Sequence, residues 1–117
     1  MNTMNKWMED FTKSIILSEV LRRLDKYGVS PWTIEKTLCG VASAKTLYNY
    51  MNGETKPRAQ VYTSLFKGFK EKYSKLFNLV IEEISEEYGN KTFSEVLQEI
   101  EATEGARHVA EVLTEIL

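Results

Sequence analysis

The segment from Ser43 to Asn52 holds the densest set of side chains able to recognise another molecule. Read as a helix with Leu47 pointing inward, it buries Ser43, Leu47, Tyr50 and Met51 and turns Lys45, Tyr48, Asn49 and Asn52 outward. A cation for guanine edges or phosphates, an amide that pairs with adenine through two hydrogen bonds, and a ring for thymine methyls are what a major-groove reader needs. A second group, Ser30, Lys36, Thr55, Lys56, Arg58, Lys67 and Lys70, is crowded around this segment and fits contacts to phosphates. Catalytic chemistry has little to work with. Cys39 and His108 are the single cysteine and the single histidine, neither has partners for a metal or nucleophile site, and both are read as structural. Glu82, Glu83, Glu86 and Glu87 read as a solvated helix face. No phosphate loop or nucleophile–base pair is present, so an enzyme is not expected, and neither is a cofactor or metal.

These side chains need helices to position them, and almost the whole chain reads as helix. Trp7, Phe11, Ile15, Leu17, Val20, Leu21 and Leu24 recur at three- and four-residue steps, and Gly28 follows as a stop. Ser30-Pro31 opens a short helix to about Cys39, because serine caps free amides and proline is pre-set for the first helical position. Its N-terminal amides are expected to meet a phosphate, and Trp32 is expected to pack against the first helix. Gly40 breaks this helix, Ser43 caps the next, and Gly53 ends it. Pro57 marks a new start, after which Val61, Leu65, Phe69, Leu76, Val80 and Ile84 keep the helical period, with Gly68 the expected break between two helices.

The bulk composition removes several classes. At 117 residues, 43% hydrophobic and 27% charged, the chain has the size and apolar content of one folded domain or a domain with an appendage. No apolar run reaches the length of a membrane span, the N-terminus lacks a secretory pattern, and one cysteine allows no internal disulfide, which together suggest the cytoplasm. The net charge of −2 argues against nucleic acid only until it is divided along the chain. Residues 1–76 hold 13 Lys/Arg and 7 Asp/Glu, a net of +6; residues 77–117 hold 2 and 10, a net of −8. A basic block followed by an acidic one is the pattern of a polyanion-binding head with a separate tail.

Two short helices joined by a glycine-containing turn, between longer helices, describe a helix-turn-helix unit. The run Leu21-Arg22-Arg23-Leu24-Asp25-Lys26-Tyr27-Gly28-Val29-Ser30, followed by Ile34, Leu38, Gly40 and Val41, resembles the first two helices of the Cro / lambda-repressor-like helix-turn-helix family. Residues 47–57, with Asn52-Gly53 and Pro57 at the expected offsets, are similar to that family's end of the recognition helix and the turn after it. The resemblance spans about residues 17–88. It implies an all-α, five-helix lambda-repressor-like domain, with an extended N-terminal helix and a C-terminal helical extension, and a role in binding double-stranded DNA. Three positions depart from the family pattern. The turn between Leu38 and Leu47 is one residue longer than usual, Glu35 stands where a small residue is preferred, and Pro31 replaces a glutamine that often clamps a phosphate. The first two bear on the angle between the helices, and Glu35, if turned outward, would face the phosphates.

The chain divides accordingly into a DNA-binding head at residues 1–88 and an acidic helical extension at 89–117. In the extension Phe93, Val96, Leu97, Ile100, Val109, Leu113 and Ile116 offer more apolar surface than a solvated tail needs, and are expected to form a homodimer interface. A dimer would set two recognition helices one DNA turn apart, roughly 34–36 Å. The alternative is that these helices fold back on their own core. The alternative function is an all-helical protein-interaction module, an adaptor or inhibitor with a protein partner, that keeps the scaffold without reading DNA.

Overall fold

The computed structural model describes residues 6–90, and side chains over 13–87. The residues of the expected dimer interface, His108 and the side chains of Trp7 and Phe11 lie outside these ranges. The described residues form five helices and no strand: α1 (Lys6–Lys26), α2 (Pro31–Thr37), α3 (Ala44–Met51), α4 (Ala59–Lys72) and α5 (Ser74–Asn90). None of these helices is long and apolar enough to cross a membrane.

Local capping chemistry sets most boundaries. Ser30 accepts a hydrogen bond from the Thr33 amide, with Pro31 in the first position of α2, and Ser43 accepts from the Thr46 amide at the start of α3. Helix α2 ends at Thr37, two residues short of the expected Cys39, because the chain turns at Leu38, whose amide still donates to the Ile34 carbonyl. Gly40 then takes φ 87°, a left-handed conformation in which an L side chain is strained. Pro57 stands one residue before Arg58, the capping position of α4, rather than inside the helix.

The expected break at Gly68 is absent. Helix α4 runs through it to Lys72, and the chain turns at Tyr73 instead. Gly68 is buried where a Cβ would come within 2.7 Å of both terminal methyls of Leu38, so the glycine makes room for the apolar residue that follows α2. Two further bonds hold the same corner: Tyr73 Oη donates to Thr37 Oγ1 at 2.7 Å, and the Tyr73 amide donates to the Phe69 carbonyl at 2.9 Å.

The core is one cluster. Ile16, Leu17, Val20, Leu21 and Leu24 of α1 meet Ile34 and Leu38, Leu47 and Met51, Leu65 and Phe69, and Phe77, Val80, Ile81 and Ile84. Phe66, Phe69 and Phe77 pack edge-on or tilted with centroids 5.5–5.9 Å apart, which joins α4 to α5.

Helix α1 is the element that α3 and α5 share. On one side, Ser18 Oγ donates to the Met51 carbonyl at 2.7 Å, satisfying a carbonyl at the end of α3. On another, the Arg23 guanidinium meets Glu19 at 2.5 Å, Glu83 at 3.5 Å, and Glu87. Tyr27 Oη donates to Glu83, a bond that raises the phenol above its usual 10.0. Glu82 and Glu86 are exposed, as expected of a solvated face; Glu83 and Glu87 are not part of it, because they fold onto α1. Ser18 and Arg23 are five residues apart, about 140° around a helix. Glu83 and Glu87 thereby meet α1 on a flank different from the one that holds α3.

Candidate nucleic-acid interface

Helix α3 is eight residues long, and its two ends are held by different neighbours. At the C-terminal end the Ser18 hydroxyl binds the Met51 carbonyl, and the Asn52 amide caps the helix on the Tyr48 carbonyl at 3.0 Å. At the N-terminal end the Ala44 amide donates to Glu35 Oε1 at 3.0 Å and the Thr46 amide to Ser43 Oγ at 3.2 Å. Glu35 thus neither forces α2 and α3 apart nor turns outward. Its carboxylate acts as an anionic cap on the positive end of α3. The small residue that close packing requires stands across the contact, on α3, where Ala44 is 1% exposed. Glu35→Ala removes the acceptor and is expected to cost about 0.5–2 kcal/mol. Glu35→Gln, which keeps a carbonyl acceptor, should recover most of that in urea unfolding.

The inward stripe of α3 is Ala44, Leu47 and Met51, turned by roughly half a residue step from the expected one. Ser43 is exposed because it is the cap and precedes the helix, and Tyr50 is half-buried. Tyr48 is consequently not an outward reader: it is half-buried and packed on the core. Lys45 and Asn52 are exposed and Asn49 is half-buried. Lys45 and Asn49, four residues apart, share one face. Asn52 lies on the same face about 10 Å along the axis from Lys45, at the C-terminal cap.

The phosphate set is dispersed. Ser30 is half-buried and its hydroxyl is engaged with the Thr33 amide and with Thr33 Oγ1. The expected phosphate clamp at the start of α2 narrows to the Trp32 amide: Pro31 has no N–H, and the Thr33 and Ile34 amides both bond to Ser30. Lys36 is exposed in the last turn of α2, Thr55 and Lys56 are exposed in the connection after α3, and Arg58 is exposed at the cap of α4. Lys67 and Lys70 share an exposed face of α4. Arg58 also lines a cavity of about 150 Å³ with Lys13, Ser14, Pro57, Tyr62 and Thr63. Lys13 stands over the Tyr62 ring at 5.6 Å, a pairing across α1 and α4 with no local sequence signal.

Two residues that were expected to be structural are on the surface. Trp32 does not pack away: it is 61% exposed and lines an open groove of about 750 Å³ that includes Glu35, Lys36, Val41, Ala42 and Ser43. Cys39 is exposed beside it. Among the described residues no group of three or more His, Cys, Asp or Glu is placed to hold a metal ion. Comparison with protein-family models, curated proteins and solved structures finds no match for the chain.

Proposed function

We propose that the chain is a sequence-specific double-stranded DNA-binding protein, a small transcriptional regulator working in the cytoplasm as a homodimer, with helix 43–52 in the major groove. The observation that carries this reading is the anchoring of α3 at both ends, by Glu35 and by Ser18, with Lys45 and Asn49 on the side away from the core. A helix held in this way is preorganised: little backbone ordering is left to be done on binding. Lys45 sits in the first turn, where recognition helices of such units contact base edges. The short α2 and α3 between longer α1 and α4 support the lambda-repressor-like arrangement. The ion pairs that draw Glu83 and Glu87 onto α1 hold these two carboxylates on a flank other than the one that carries α3, which lowers their repulsion of a polyanion at α3. Residues 89–117 supply the dimer arm in this reading.

The test is fluorescence anisotropy on mixed-sequence duplexes across a salt series. Several phosphate contacts should give a log–log slope of about −0.9 per contact; a flat response overturns the proposal. The engagement of the Thr33 and Ile34 amides favours the second reading, a protein-interaction module, since it leaves α2 fewer donors for phosphates. Recovery of a stoichiometric protein partner, together with the flat salt response, would establish it.

A further inference from the structure

In the first turn of α2 the Thr33 and Ile34 amides are engaged and Pro31 has no N–H, and what projects from it is an indole. Three large hydrophobic side chains are exposed among the described residues: Tyr27, Trp32 and Leu79. Tyr27 is tied to Glu83 by its hydroxyl, and leucine has no polar atom. Trp32 alone sets an exposed ring with an N–H donor next to α3. The ring is one wall of the groove that leads past Val41 and Ala42 to Ser43, the cap of α3. Lys36, one turn after Trp32, is the exposed cation of the groove, and its one carboxylate, Glu35, is turned to the Ala44 amide. An apolar wall with a polar handle, two small apolar side chains and a cation complement a deoxyribose–phosphate strand, which alternates apolar sugar faces with anions.

We propose that Trp32 is a backbone-positioning residue: its ring lies against the deoxyribose of the strand beside the groove read by α3, its indole N–H donates to a phosphate oxygen, and Lys36 meets the neighbouring phosphate. The inference rests on the DNA-binding reading above. It places a register-setting contact on an exposed side chain at a helix start where the Thr33 and Ile34 amides are already engaged.

Trp7→Phe leaves Trp32 as the sole tryptophan, since the chain has two. A mixed-sequence duplex about two helical turns long is titrated at low salt, following the anisotropy of a dye on the duplex and, with undyed duplex, tryptophan emission. Emission should be quenched, and protected from iodide, over the range in which anisotropy rises. In the otherwise native chain Trp32→Phe should bind about five- to tenfold more weakly, with the same salt slope and the same order of preference among duplexes. Lys36→Ala should lower the salt slope by about one. Circular dichroism establishes that the variants are folded; if Trp7→Phe is not, the affinity and slope of Trp32→Phe decide. Binding with unchanged Trp32 emission and unchanged Trp32→Phe affinity overturns this inference while the DNA-binding reading stands. A changed order of sequence preference in Trp32→Phe overturns the backbone assignment. No anisotropy rise at any salt overturns both.

Discussion

Phe69→Ala is expected to cost about 3–5 kcal/mol of stability, the largest single effect of any substitution considered. Phe69 is fully buried in α4 and touches both Phe66 and Phe77, and it follows Gly68, whose missing Cβ admits Leu38. Truncation therefore opens a cavity at the point where α2, α4 and α5 converge, and rigid helices cannot close on it without moving Leu38 and Tyr73. Domains have only about 5–15 kcal/mol to lose, so the variant should show a much lower urea midpoint with an unchanged slope against denaturant. A loss below about 1 kcal/mol would mean that the aromatic cluster repacks and that the α2 corner is not held from behind.

Replacing Lys45 and Asn49 together by alanine is expected to erase most discrimination between a selected duplex and a scrambled one, with little effect on stability. Both side chains lie on the outward side of α3, and neither takes part in the caps that hold the helix. Each well-placed base contact supplies about 1–3 kcal/mol of discrimination, so losing two should reduce the affinity ratio at least tenfold or so. Residual binding should survive through phosphate contacts, with the salt slope reduced by about one for the lost lysine. Competition anisotropy with the two duplexes measures the ratio. A ratio within about twofold of the unsubstituted protein would move the reading face elsewhere, since even one such contact exceeds that change.

The residues that carried the expectation and those that corrected it differ in range. Ser30, Pro31, Ser43 and Gly40 act on amides and dihedrals within a few positions of themselves, and each stands where its local chemistry predicts. Gly68 shows the limit of local cues. A glycine amid helical periodicity reads as a break, but its reason for being glycine is Leu38, thirty positions earlier. Tyr48 shows another: a helical wheel anchored on Leu47 leaves the rotation of α3 uncertain by half a step, enough to move an aromatic from the reading face to the edge of the core.

Residue types and spacings by themselves determined that the described chain is helical, where α2 and α3 begin, and which face of α3 carries Lys45 and Asn49. Those properties follow from capping and from a 3.6-residue period, both of which are short-range. Tertiary structure alone decided the role of Glu35. In sequence it is a charge in a place that favours a small residue; folded, it reaches nine positions ahead to close the N-terminus of α3. It also decided that Arg23 draws Glu83 and Glu87 onto α1 and that Trp32 remains outside. Each depends on which partner the fold brings within hydrogen-bonding or van der Waals reach, and separation along the chain does not encode that distance.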